Sequence, residues 1–222
     1  MNSLERVTLA LSHQEPDRVP LDLGPTSGGI SWRSYKKLKA FLNIDWSQED
    51  QVDPVWGAMK TIDARVLRRL NIDLAPLYMG SPRSFELKKL PDGSFEDEFG
   101  IRRRWVSEDG EVVDTIYHPL KNVTDVDQLE DYPWPDPPTA DGLRKEAEKY
   151  EKMGFATKTV APYGGLVDQY CWLRGFDKFM IDLYTNTRLL SAVLDRILEL
   201  WIRALDVLLD EVGDVVQMIC LG

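Results

Sequence analysis

Residues 161–186 read APYGGLVDQYCWLRGFDKFMIDLYTN, and the remaining elements are placed by working outward from them. Ala161-Pro162-Tyr163-Gly164-Gly165 are small or rigid residues of the sort that follow a buried strand and let a ligand approach backbone. Leu166 to Leu173 predicts a short helix closed near Gly175, since glycine is the common residue just past a helix end. Phe176, Phe179, Met180 and Leu183 recur at helical spacing and predict a second helix pinned to a core. Asp168, Tyr170, Arg174 and Asp177 are polar groups of the kind a pocket places among apolar ones. Charged residues on helices usually face water, so the plain reading is a loop and two amphipathic helices.

On the N-terminal side, Asp141 to Met153 predicts a mostly polar helix, and Phe155 to Ala161 a buried strand. On the C-terminal side, Thr187 to Val212 predicts the longest helix, with Leu190, Val193, Leu194, Ile197, Trp201, Ala204, Leu205 and Leu208 in one stripe. Val215 to Leu221 then predicts another strand. Strand, crossover helix and strand in succession argue for an α/β fold with parallel strands.

The first third repeats the theme. Ser3 is a candidate cap for a helix through about Ser12, and Pro16 enforces a turn. Val19 to Leu23 predicts a strand interrupted by Asp22, and Gly24 to Gly29 a loop able to bring N–H groups close to a ligand. That loop has neither G-x-G-x-x-G nor a P-loop pattern. Asp22, near a strand end, either points into an active-site mouth or caps the loop. Helices are predicted from Ser31 to Leu42 and from Val55 to Leu70, with Asn71 as a stop, before a strand at Ile72 to Tyr78. Between about 84 and 118 the period changes to alternation, with Asp92-Gly93 and Asp109-Gly110 as hairpin signals, and an antiparallel meander is expected. Arg102-Arg103-Arg104 within it reads as a solvated strand face. A short helix at Asp125 to Asp131 and the prolines from Pro133 to Pro138 lead back to the main fold.

The 222 residues include 43% hydrophobic and 29% charged, ordinary for one folded core. With 27 Lys plus Arg against 37 Asp plus Glu, the formal net charge of -10 excludes a generally basic nucleic-acid surface. Cys171 and Cys220 are too few for a disulfide framework, and no segment approaches a membrane span. A cytoplasmic location is the expectation. His13 and His118 are the two histidines, and neither stands beside a cysteine at zinc-ligand spacing.

Trp172-Leu173-Arg174-Gly175-Phe176, then Phe179-Met180-Ile181-Asp182-Leu183 and Asn186, resembles the uroporphyrinogen decarboxylase superfamily. His13-Gln14-Glu15-Pro16-Asp17-Arg18-Val19-Pro20 and Tyr132-Pro133-Trp134-Pro135-Asp136 are similar to that family's methyltransferase-like branch. None of these strings is itself a catalytic motif. The resemblance implies an eight-stranded (β/α)8 TIM barrel, of which residues 1–222 would be the N-terminal part, incomplete and carrying the inserted meander, because four core strands are counted where eight are needed.

It further implies an enzyme that transfers methyl groups between a corrinoid (cobalamin) and a small-molecule donor or acceptor, with a corrinoid carrier protein as partner. The zinc site of such enzymes, His-x-Cys plus a distant Cys, belongs to later strands that this chain lacks. Cys220, at a strand end, is the one weak ligand candidate. The alternative is a carboxy-lyase acting on a porphyrinogen. That branch resembles itself in Arg-Gln-Ala-Gly-Arg after the first strand, whereas Asp22 to Gly29 holds no arginine to pair with substrate carboxylates. Tyr163 and Tyr170 resemble the region carrying the decarboxylase's pocket tyrosine. Where that family continues into Gly-Asp-Asp-Leu-Gly, this chain has Ile219-Cys220-Leu221-Gly222. Asp22, Tyr163, Asp168, Tyr170 and Arg174 are thus the candidate pocket residues, as polar anchors. A non-catalytic barrel fragment is the reading from another class, and a homo-oligomer or a complementing C-terminal half is expected to cover open strand edges.

Overall fold

The computed structural model describes residues 1–23, 29–106, 113–160 and 164–220. It is a mixed α/β structure with a three-stranded parallel sheet and a separate four-stranded antiparallel sheet. The chain divides into two units: Met1–Met79, Ala140–Ala161 and Leu208–Gly222 form the first, and Gly80–Thr139 and Pro162–Val207 the second.

In the first unit, helix α1 (Ser3–Leu11) is capped by Asn2, whose side chain accepts the Glu5 N–H while the Glu5 carboxylate accepts the Asn2 N–H. Ser3, the predicted cap, instead donates its hydroxyl to Asp73 at 2.8 Å. Helix α2 (Trp32–Phe41) starts at Ser31 as expected; Tyr35 packs inside, but Phe41 lies 83% exposed. The helix predicted from Val55 begins only at α3 (Ala64–Arg69). Asp53 accepts the N–H groups of Val55 and Trp56, each at 2.8 Å, and Gly57 takes φ 64°, so the backbone turns and Val52 bridges to Met59 instead.

Strand β1 (Leu74–Leu77) pairs in parallel with β6 (Ala156–Val160), which pairs in parallel with β7 (Met218–Cys220). Helix α4 (Leu143–Lys152) precedes β6 and buries Leu143, Ala147 and Tyr150. Val7, Leu74 and Ala156 pack together, with Leu4 and Met218 against them. Gln217 fixes the start of β7, its side-chain oxygen accepting the Thr157 N–H at 2.7 Å.

The predicted strand at Val19 to Leu23 is not a strand, and Val19 is 76% exposed. The segment is nevertheless tied to β1: the Asp73 N–H donates to the Leu21 carbonyl and the Leu21 N–H to the Asp73 carboxylate, each at 2.8 Å. Asp73 is fully buried and also accepts from Arg6 (2.6 Å) and Arg18 (2.7 Å). Arg6 in turn donates to Asp17.

In the second unit, the meander forms as predicted, with β2 (Lys88–Lys89), β3 (Phe95–Glu96), β4 (Arg102–Trp105) and β5 (Val113–Tyr117) in sequential order. Gly93, at φ 80°, turns the first hairpin; Asp109-Gly110 and the Gly24–Gly28 loop lie outside the described residues. The arginine run is not one solvated face. Strand alternation exposes Arg102 and Arg104 and buries Arg103, which pairs with Asp97 and lies over the Trp172 ring. The predicted short helix is a 3-10 turn, Val126–Leu129.

Helices α5 (Leu166–Arg174) and α6 (Phe176–Thr185) meet at Gly175, whose φ of 97° suits glycine. Helix α7 (Thr187–Val212) belongs to the second unit as far as Val207 and to the first from Leu208. Its buried line is Leu189, Val193, Ile197, Leu200, Trp201, Ala204, Leu208 and Val212, with Leu190, Leu194 and Leu205 half-buried beside it. No helix among the described residues is long and apolar enough to cross a membrane.

Burial works to raise the Asp73 carboxyl, but hydrogen bonds from Arg18, the Leu21 N–H, Ser3 and Arg6 outweigh it and hold the group below its usual range. Asp17 is held at about 2 by Arg6. Carboxyls depressed in the folded state contribute stability that is complete above their unfolded values near ~4 and is lost as pH falls through the folded ones. Chemical denaturation between pH 6 and 2.5 should therefore show stability falling below about pH 4. Asp73→Asn should lower stability at pH 7 by about 3 kcal/mol, by removing the buried charge that Arg6 and Arg18 share, and flatten that acid slope.

Candidate functional site

The parallel sheet carries one side chain out of keeping with its surroundings. Lys158 lies in the middle of β6, between Pro76 of β1 and Met218 of β7 in register, and its side chain is fully buried. A buried ammonium needs a partner, and Asp22 supplies it through a direct ion pair. The Asp22 carboxylate is itself 34% exposed, so the pair links the sheet interior to solvent. The segment carrying Asp22 is positioned by the Leu21–Asp73 exchange one residue earlier. The arrangement sets an enclosed cation beside an accessible anion, a combination able to orient a small polar ligand.

Tyr170 and Arg174 belong to the second unit, where both converge on Asp182. The Tyr170 hydroxyl donates to Asp182 Oδ2 at 2.6 Å, and Arg174 donates to it through Nε at 2.8 Å. Arg174 Nη1 further donates to the carbonyls of Leu120 (2.7 Å) and Val123 (2.8 Å). Burial pushes the Tyr170 phenol well above its ordinary value, and its bond to Asp182 adds to that. All three side chains are buried and occupied with one another.

The rest of the stretch extends the same clamp. The Leu120 N–H donates to the Leu173 carbonyl, His118 Nδ1 donates to the Trp172 carbonyl at 2.8 Å, and Asn186 Nδ2 donates to the Thr124 carbonyl at 3.2 Å. Residues 118–124 are thus sewn to α5 and to the start of α7. Asp168 is exposed in the first turn of α5, and Tyr163 lies outside the described residues.

Two residues central to these sites are not among the pocket candidates named from the sequence. Lys158 had a signal: a lysine inside an otherwise apolar and threonine-rich strand, ATKTV, must find an anion if the strand is buried. Asp182 had a weaker one, eight residues beyond Arg174 and on the far side of the Gly175 break.

No group of three His, Cys, Asp or Glu side chains placed to hold a metal occurs among the described residues. Cys220 is half-buried at the end of β7, and Cys171 is half-buried on α5 with its thiol pushed up by burial. A shallow depression of about 860 Å³ in the first unit, lined by Glu49, Asp63, Lys145, Glu146 and Lys149 among others, contains none of the predicted residues.

Set against family models, curated proteins and solved structures, the chain matches none.

The two polar centres should respond differently to substitution. Asp22→Ala leaves Lys158 buried without an anion and should cost about 3 kcal/mol, whereas Lys158→Met should stay within about 1 kcal/mol of the parent. The double variant should recover most of the Asp22→Ala loss in urea titrations, giving a coupling of ~2 kcal/mol. Arg174→Lys keeps the charge but loses the fork that reaches Asp182 and two carbonyls together, and thermal unfolding should show it destabilised by about 2–3 kcal/mol.

Proposed function

We propose that the chain is a uroporphyrinogen decarboxylase-like enzyme segment of the methyltransferase-like branch, built on an incomplete (β/α)8 barrel and acting between a corrinoid and a small methyl donor or acceptor. The barrel reading is supported by strand order. β1, β6 and β7 stand side by side in the order in which the chain makes them, and Leu21 bonds to Asp73 just before β1. A barrel winds its strands sequentially in this way, whereas a doubly wound sheet reverses direction at a switch point. The meander is then an excursion between the first two of these parallel strands.

The single observation that carries the site is the Asp22–Lys158 pair on these strands. Lys158 provides a buried positive charge for an anionic or strongly dipolar group, and Asp22 provides a water-accessible acceptor that holds the ammonium in place. The methyl branch is favoured over decarboxylation because Asp22 to Gly29 brings no arginine to a substrate with many carboxylates. A corrinoid would supply the methyl-carrying metal–carbon bond, with the carrier protein as the partner that presents it. The ligand set for a thiol-activating zinc does not occur among the described residues.

Methylcobalamin mixed with a thiol acceptor and this chain completed by the remaining barrel strands should lose its methyl group, seen as a change in the visible corrinoid spectrum. Lys158→Met should lower that rate at least tenfold while leaving the thermal midpoint near the parent's. Turnover of uroporphyrinogen, with no demethylation of methylcobalamin in free or carrier-bound form, would overturn the reading.

A further inference from the structure

Helix α6 is turned the opposite way from the usual amphipathic helix. Its buried residue is the acid Asp182, held by Tyr170 and Arg174, and Phe179 is half-buried with its ring edge-on to Tyr170 at 5.4 Å. Phe176, Met180 and Leu183, which the spacing assigns to a core, are exposed instead. The reason is energetic: Asp182 satisfies two buried donors only when it points inward, and the helix rotation follows from that. The result is a surface stripe of Phe176 (67% exposed), Met180 (47%) and Tyr184 (88%), spaced i, i+4, i+8, flanked by exposed Ile181 and Leu183.

At ~200 Å² for a large side chain, these five residues leave on the order of 600 Å² of mostly apolar surface in contact with water, the upper end of what a monomer carries. A standard interface takes about 800 Å² from each partner, so this stripe with a polar rim approaches one half of such an interface.

We propose that the α6 stripe is the contact surface for a second copy of this chain, packed two-fold and antiparallel about Met180. The stripe reads aromatic, methionine, aromatic. A two-fold axis through Met180 therefore sets Phe176 of each copy against Tyr184 of the other, and Met180 against its own counterpart, so the surface is complementary to itself. Antiparallel helices also oppose their dipoles favourably. The one exposed acid on this face, Asp177, lies 3.9 Å from Lys121 of the same copy, which offsets its charge.

Sedimentation of the full chain across a concentration series tests this directly, and a monomer–dimer equilibrium is expected. Met180→Glu places two carboxylates at the axis and should weaken the dimer at least a hundredfold, with circular dichroism unchanged and the thermal midpoint close to the parent's because Met180 is 47% exposed. Ile202→Glu, at an exposed apolar position of α7, should leave the equilibrium within twofold. In a background where Cys171 and Cys220 are serine, Met180→Cys should cross-link copies on mild oxidation, while Ile202→Cys should not. A chain that remains monomeric at high concentration, an association insensitive to Met180→Glu, one abolished by Ile202→Glu, or binding only to an unlike protein would each overturn the proposal.

Discussion

A carboxylate taken out of water must be given donors by whatever surrounds it, and the first unit is arranged around one such demand. Asp73 is fully buried just ahead of β1 and collects Ser3, Arg6, Arg18 and the Leu21 N–H. Those donors come from α1, from the turn after it and from the segment carrying Asp22. One carboxylate thereby fixes the N-terminal helix against the first strand and sets where Asp22 can stand. The Asp22–Lys158 pair depends on that placement. An apolar residue at 73 would fill the space but take one acceptor from each of two arginines and leave the Leu21 N–H to find water, at a cost burial alone does not offset.

The second unit solves the same problem with Asp182. The difference lies in what the carboxylate orients. Asp73 holds elements together at the sheet margin, whereas Asp182 sets the rotation of a whole helix and so decides which side chains of α6 meet solvent. A periodicity argument sees Phe176, Met180 and Leu183 and assigns them inward, because it scores only the hydrophobic gain. It omits the larger penalty of turning Asp182 outward and leaving the Arg174 guanidinium and Tyr170 hydroxyl buried without their acceptor. That comparison of magnitudes explains why the sequence reading of this helix fails while its boundaries are found.

Where period and local chemistry agree, the sequence is legible. The strand at 72–78, the meander with its Asp92-Gly93 turn, α4, α5 and α7 all stand close to where apolar spacing and glycine positions place them. Legibility fails where a side chain competes with the backbone. Asp53 captures two N–H groups and unmakes the first part of the helix expected from Val55, and Asn2 takes the capping role from Ser3 because Asp73 engages the serine hydroxyl. Both outcomes turn on partners that spacing does not show: Met59 for Val52 in the bridge, and Asp73 for Ser3 at a separation of 70 residues. For the site, Asp22 was accessible from sequence as an acid in an apolar run. Its partner Lys158 is more than a hundred positions away, and only the parallel pairing of β1 with β6 brings the two together.

The residues that carry the likeness, Trp172 to Phe176 with Asp182 and Asn186, are those whose carbonyls, guanidinium, carboxylate and amide sew residues 118–124 to α5 and α7. Arg18 and Asp17 of the N-terminal likeness are likewise engaged around Arg6 and Asp73. A set of residues that satisfies buried backbone and closes ion pairs is constrained by folding whatever reaction the fold hosts. Likeness there speaks to architecture. Chemistry has to be argued from side chains that still face water, and the partly exposed carboxylate of Asp22, paired with the enclosed ammonium of Lys158, is one of them.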